Sequence, residues 1–331
     1  MIYKKIFYII TLLSLVACQT KSKTNTTDVR WSFSADSAYN YIAQQMAYGP
    51  RVPNSSEHKA CGDWLVAELQ RLGAQVEEQY GTMLNYAGQP QSLRNIIAHI
   101  PGATTSAILL CAHWDTRPWC DEEVDYDKRF IPVPGANDGA SGVGVILEIT
   151  RQLQAYRQTD KVSQVPSVDI VFFDCEDMGT PSHYIGKQRE NTWCLGSQYW
   201  AIQYKKMPAN QRRKYQYGIL LDMVGDPSAT FPREYFSNTY AAGYLEQIWR
   251  TASQLGYGRY FVNQAAYPIT DDHFYINTIA GIPCVDIIDY KPNTTSGFAE
   301  WWHTQQDDMR NINKQTLQAV GMTVMNTICS K

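Results

Sequence analysis

The stretch Val168-Asp169-Ile170-Val171-Phe172-Phe173, running straight into Asp174-Cys175-Glu176-Asp177, decides how this chain folds. A short apolar run of this kind reads as a strand buried on both faces, at the centre of a largely parallel sheet. Its carboxylate-rich end marks the sheet edge at which ligands gather in open α/β folds. Working outward, Tyr217 to Val224 and Ile282 to Ile288 have the same character. Upstream, Arg94 to Ile100 and Ala107 to Ala112 are β-rich runs separated by the turn Pro101-Gly102. Helices are predicted from Ser34 to Tyr48, from Ser55 to Leu72 with a stop at Gly73, and over Ala140 to Tyr156, Ala241 to Leu255 and Asn313 to Ile328. Strands alternating with helices predict an α/β fold, a three-layer sandwich with one central mixed, mostly parallel twisted sheet flanked by helices. With no internal repeat and no interdomain linker, one α/β domain is expected over residues 31–331.

Composition removes several classes of function. The 331 residues carry a net charge of −3 with no basic block, which excludes a nucleic-acid footprint. Hydrophobic residues at 44% and charged residues at 18% exclude a disordered chain. The one long apolar run lies at the N-terminus, so a multi-span membrane protein is excluded. That run, Ile6 to Val16 behind Lys4 and Lys5, has secretory-signal length. It ends in Leu15-Val16-Ala17-Cys18, which resembles the lipobox of bacterial lipoproteins and implies cleavage before Cys18 and lipid attachment there. Residues 1–17 are therefore expected to be a lipoprotein signal peptide and residues 18–30 a lipidated flexible tether. The expected location is the bacterial cell envelope, in the periplasm, with the chain a monomer anchored to the membrane through Cys18. Seven further cysteines remain, without a C-x-x-C pair or finger spacing, so no structural zinc site of cysteines is expected. Cys111, Cys175 and Cys284 read as buried small hydrophobes.

Chemistry-bearing side chains recur at strand ends. His113 and Asp115 follow one strand, Glu176 and Asp177 another, Asp222 interrupts a third, and Asp286 and Asp289 belong to a fourth. The loop Gly135-Ala136-Asn137-Asp138-Gly139-Ala140-Ser141-Gly142 opens a helix, and Trp301-Trp302-His303-Thr304 lies near the C-terminus. Buried charge is costly unless it is paired or metal-bound. His, Asp and Glu without Cys suit a borderline-hard divalent ion, with zinc the default for an exported enzyme. The glycines around Asp138 let the backbone approach closely and aim that side chain. A phosphate loop is disfavoured, since neither a partner Lys nor a G-x-G-x-x-G is present. His58 and His99 read as surface or strand-edge residues, His273 as structural at a helix head, and Glu300 with the acidic 121–127 loop as solvated surface.

The ordered series His113-x-Asp115, Asn137-Asp138-Gly139-Ala140-Ser141-Gly142, Glu176-Asp177, Asp222 and Trp302-His303-Thr304 resembles the clan of co-catalytic zinc aminopeptidases and the animal-type glutaminyl cyclases that share their fold. The resemblance spans residues 34–331. In the aminopeptidase pattern His113, Asp138, Asp177, Asp222 and His303 would hold two zinc ions, with Glu176 as general base. Asp177 departs from that pattern, being one methylene shorter than the usual Glu. Trp302 before His303, the loop Thr230-Phe231-Pro232 and Thr270-Asp271-Asp272-His273 resemble the cyclase branch. That resemblance implies one zinc held by Asp138, Asp177 and His303, Glu176 as proton shuttle, and Asp222 with Asp271 as an acidic pair. It implies Trp302 and Trp193 as pocket walls, and His113 and Asp115 as supports behind the ligands or as part of a second metal site. Asp286 stands where the animal enzymes carry His, which points to a bacterial version. The implied substrates are peptides or proteins with N-terminal glutamine, converted to pyroglutamate with release of ammonia. The competing expectation is an exported di-zinc aminopeptidase. A binding protein that had lost catalysis would have no need of Glu176.

Overall fold

The computed structural model describes residues 31–330. Ser34 accepts a hydrogen bond from the Ser37 N–H and starts α1 (Ala35–Met46), and Ser55 does the same for His58 at the head of α2 (Ser56–Arg71). The chain then forms β1 (Gln75–Leu84), β2 (Pro90–Ile100) and β3 (Ala107–His113). Next come α3 (Ala140–Arg157), β4 (Val168–Phe173), α4 (Leu195–Lys206) and β5 (Tyr215–Asp222). Short β6 (Phe231–Arg233), α5 (Tyr235–Tyr240), α6 (Ala242–Gln254), β7 (Phe261–Ala265) and α7 (Asp272–Tyr275) follow. β8 (Cys284–Ile288) and α8 (Lys314–Ile328) complete it.

The main sheet has the order β1-β2-β4-β3-β5-β8. β2 pairs antiparallel with both β1 and β4, while β4, β3, β5 and β8 run parallel to one another. This is the mixed, mostly parallel sheet expected from the apolar runs, and β3, β4 and β8 are buried along their whole length. Because successive side chains face opposite ways, the two faces carry separate layers. On one, α1, α3 and α8 pack on each other, and α3 meets β3 and β5. On the other, Trp200 and Tyr204 of α4 join Leu109, Cys111, Val171, Phe173 and Leu220 in one core.

Besides the short β6, α5 and β7, two longer elements escape the sequence pattern for physical reasons. β1 is an edge strand whose Gln75, Glu77 and Glu78 remain largely in solvent, so no apolar alternation marks it. α4 begins behind Cys194, which has a left-handed backbone (φ 56°) and offers no side-chain cap. His58 corrects the expectation of a surface residue: it is buried, lies 2.8 Å from Asp174 and stacks on Trp114. The seven cysteines of the described residues are all buried and unpaired. The expected signal peptide (1–17) and tether (18–30, with Cys18) lie outside the described residues. Among the described residues, no helix is long and apolar enough to cross a membrane.

The parallel strands all end on one side. His113 closes β3, Asp222 closes β5, and Glu176 and Asp177 follow β4. Just past β4 and β5 the backbone turns through left-handed residues that are not glycine, Cys175 (φ 57°) and Met223 (φ 49°). Such conformations cost of order 1–3 kcal/mol each and concentrate at functional sites. Here they turn the chain sharply at the sheet edge where the acids converge.

Candidate active site

Asp138 sits at the centre. Its Oδ1 lies 3.0 Å from His113 Nε2 and its Oδ2 3.4 Å from His303 Nε2. On one side His303 Nε2 is 3.2 Å from Asp177 Oδ1; on the other His113 Nε2 is 3.2 Å from Asp222 Oδ1. All five side chains are buried. The loop that carries Asp138 is pinned from several directions. Asp307 accepts from the Asn137 and Asp138 N–H groups at 2.7 and 3.1 Å, and Asn137 Oδ1 accepts from the Gly225 N–H at 2.7 Å. Gly139 has φ 101°, and a Cβ there would stand 2.5 Å from the Asp115 carbonyl oxygen, so only glycine fits the turn.

Glu176 and Asp177 are held by their backbone. Asp115 accepts from the Glu176 N–H at 3.1 Å and from the Asp177 N–H at 3.3 Å. Its carboxylate is thus engaged with the loop, in contrast to His113, whose Nε2 faces Asp138 and Asp222. Glu176 Oε1 accepts the Cys194 thiol at 3.1 Å. Burial, and then the neighbouring carboxylates of Asp271 and Asp177, raise the Glu176 carboxyl well above the ordinary range, against the pull of His113. Asp271 caps α7 through the Asp272 N–H, and its Oδ2 has no partner. Burial and the charge of Asp222 push Asp271 up to about 7. Behind it, His273 Nε2 bonds Glu234 at 2.9 Å and Nδ1 faces Asp286 at 3.5 Å. His273 is therefore buried at the head of α7 between two carboxylates.

These groups line a cavity of about 600 Å³ that receives Asp138, Glu176, Asp177, Asp222, Asp271 and His303, with Trp193 and Trp302 among its walls. Trp302 stacks on His303, ring centroids 3.5 Å apart at 20°. Trp193 lies parallel to His303 at 6.3 Å and 10°. A Cβ on Gly179 would fall 1.8 Å from the Trp193 ring, so the indole rests directly on glycine backbone. His303 itself has a left-handed backbone, φ 53°.

Two three-donor groups share Asp138: Asp138, Asp177 and His303, and His113, Asp138 and Asp222, each with ligand atoms within 4.8 Å of one another. In a tetrahedral zinc site with bonds of about 2.1 Å, neighbouring donors lie about 3.4 Å apart. The 3.2 and 3.4 Å separations around His303 match that spacing. Asp177 Oδ2 is buried without a hydrogen-bond partner, an oxygen with spare capacity for a cation. The donor set of two carboxylates and one imidazole fits zinc.

Three residues that sequence reasoning missed hold this arrangement. Asp307 grips the Asp138 loop, and Arg117 forks onto Asp121 at 2.8 and 2.6 Å. Asp121 corrects the expectation of a solvated acidic loop: it is buried and its Oδ1 stands 3.5 Å from His303 Nδ1. The available signal was charge balance, because a buried set so rich in Asp needs a nearby cation, and Arg117 comes two residues after Asp115 of His113-x-Asp115.

Residues 95–328 match the model of peptidase family M28. The chain belongs to this family. Within it, the chain is 46% identical to a glutaminyl cyclase of Tannerella forsythia, covering 91% of this chain and 99% of that one, with a TM-score of 0.84. A Zn-dependent exopeptidase from Parabacteroides distasonis is equally similar, at 46% identity, the same coverage and a TM-score of 0.84. The glutaminyl-peptide cyclotransferase of Bos taurus is 26% identical over 290 residues, 81% of this chain and 74% of the bovine one. Both the cyclase and the peptidase forms of M28 chemistry are therefore represented among its relatives, and the cyclases extend from bacteria to animals.

Proposed function

We propose that this M28 chain is a glutaminyl cyclase. It converts the N-terminal glutamine of peptides or proteins to pyroglutamate and releases ammonia. The observation that carries this reading is 46% identity to the Tannerella forsythia cyclase across nearly the whole of both chains. The geometry agrees with it, since a partly exposed Glu176 faces a tryptophan-walled cavity beside one open three-donor corner.

Asp138, Asp177 and His303 would hold one zinc ion. Zinc bound there supplies a Lewis acid for the γ-amide oxygen. Trp302 and Trp193 confine the glutaminyl side chain and exclude water, leaving the substrate's own α-amine as nucleophile. The amine nitrogen bonds to the γ-amide carbon, and the bond from that carbon to NH₂ breaks. Glu176 takes a proton from the attacking nitrogen and hands it to the departing NH₂, which leaves as ammonia. Its raised pKa suits a group that must both accept and donate near neutrality. Asp222 and Asp271, expected as a hydrogen-bonded acidic pair, make no hydrogen bond to each other; they act on one another through charge, and the partnerless Asp271 Oδ2 would hold the attacking nitrogen. His113 orients Asp138 and Asp222, while Asp115 fixes the backbone of Glu176 and Asp177.

The second three-donor group, His113 with Asp138 and Asp222, favours a di-zinc aminopeptidase as the alternative. Residues 1–17 would direct export and Cys18 would anchor the protein to a membrane of the bacterial envelope, the enzyme acting in the periplasm as a monomer. The deciding experiment incubates the purified protein with a Gln-initiated peptide and reads products by mass. Loss of ammonia from the otherwise intact peptide, abolished by a chelator and by Glu176→Gln, supports the cyclase. Release of free glutamine, with other N-terminal residues also removed, overturns it in favour of the aminopeptidase.

A further inference from the structure

Arg117 is 2% exposed, an unusual state for a guanidinium, and every face of it is engaged. Its Nε and Nη2 fork onto Asp121, the carboxylate behind His303 Nδ1. Its Nη1 donates to the Asp177 carbonyl at 3.1 Å and stands 3.5 Å from Asp177 Oδ1. Its flat face lies against Trp193, with Cζ 4.7 Å from the ring centroid. One rigid planar cation therefore touches both a donor of the three-ligand corner and a wall of the cavity.

We propose that Arg117 is a positioning residue that couples metal affinity to substrate fit, setting Asp177 and His303 through its fork and Trp193 through its face. The inference rests on the zinc cyclase reading of the pocket. The physical basis is that a planar guanidinium can chelate a carboxylate edge-on and stack face-on at once, whereas an ammonium is a point charge that can meet the carboxylate or the ring face but has no plane with which to do both. Groups behind metal ligands fix their orientation, and losing them costs about 10–100-fold in affinity. A stacked cation on an indole contributes about 0.5–2 kcal/mol, equivalent to about a twofold to thirtyfold change in binding.

The test measures zinc dissociation by chelator competition, and KM and kcat on a Gln-initiated peptide at saturating zinc, using the purified full-length protein. Arg117→Gln is expected to weaken zinc binding about 10–100-fold and also to raise KM. Asp121→Asn should weaken zinc binding with KM little changed. Trp193→Leu should raise KM with zinc affinity little changed. Arg117→Lys, which keeps the charge and loses the plane, should recover zinc affinity and still raise KM. The coupling is overturned if Arg117→Gln moves only one of the two readouts, or if Arg117→Lys restores both. Should Arg117→Gln show no cooperative unfolding transition, Arg117→Lys decides alone: an unchanged KM overturns the proposal. If the zinc-loaded wild type releases no ammonia, the cyclase reading has failed instead, and the zinc affinities of the variants still report on the Arg117 fork.

Discussion

The two corners that share Asp138 are built from the same side-chain types and differ in what surrounds them. The His303 corner opens on the cavity: Asp138, Asp177 and His303 all line it, and Asp177 Oδ2 is free of partners. The His113 corner is set into the sheet edge: His113 ends β3 and does not line the cavity, which only the corner's carboxylates reach. Burial lowers the pKa of both imidazoles, but the carboxylates around them outweigh it. His303, facing Asp177 first, is raised to about 10, and His113, facing Asp115, Asp138 and Asp222, is raised well above the ordinary range. The lesson is that equal donor sets are not equal sites. Access and spare ligand capacity are the grounds on which the proposed reading gives chemistry to the His303 corner and support to the His113 corner.

The largest expected effect tests the first half of that contrast. His303→Ala should remove tightly held zinc and reduce cyclisation by several kcal/mol, at least about a thousandfold, read by metal analysis beside the ammonia assay. If the variant keeps both zinc and activity, the assignment of the open corner is wrong. Glu176→Gln separates chemistry from metal binding: the rate should fall about 10²–10⁴-fold while zinc content stays at the wild-type level. His113→Gln sharpens the contrast between the corners. Its activity should fall about 10–100-fold with the number of bound zinc ions per chain unchanged from the wild type. A drop by one full equivalent would make the His113 corner a metal site in its own right.

The smallest effect lies far from the site and asks whether a histidine pair outside it follows the same electrostatics. On β2, His99 Nδ1 lies 3.1 Å from Asp169, and that hydrogen bond raises the imidazole pKa despite partial burial. Its stabilising contribution is complete below the ordinary histidine pKa and is lost as pH rises through the raised value. Chemical denaturation at a series of pH values should show a loss of about 1 kcal/mol or less, since the partly exposed His99 side of the pair is screened by solvent. His99→Gln should flatten that slope; a slope unchanged in the variant would assign it to another group.

Much of the fold was legible because burial leaves a periodic trace. Val168 to Phe173, Ala107 to Ala112 and Ile282 to Ile288 announce central strands, since a strand covered on both faces tolerates little exposed polarity. β1 was not legible, because its outward residues such as Gln75 and Glu77 are chosen by water rather than by a partner layer. The acids and imidazoles of the site were legible as a set, through their repeated appearance at strand ends. Arg117, Asp121 and Asp307 were not. Asp307 meets Asn137 across 170 positions of sequence, and Arg117 meets Asp177 across 60, distances at which no local pattern reports a contact.

What the sequence determined by itself was the central strands of the sheet, the acids and imidazoles that gather at its edge and the order in which they arrive, because those follow from local hydrophobic periodicity and from the chemistry of individual side chains. What only the tertiary structure decided was which oxygen faces which imidazole, which corner meets the cavity, and which buried cation steadies it. Those depend on left-handed turns at Cys175, Met223 and His303 and on contacts between distant loops, where strain and desolvation are balanced by the whole packed molecule rather than by any neighbouring stretch of chain.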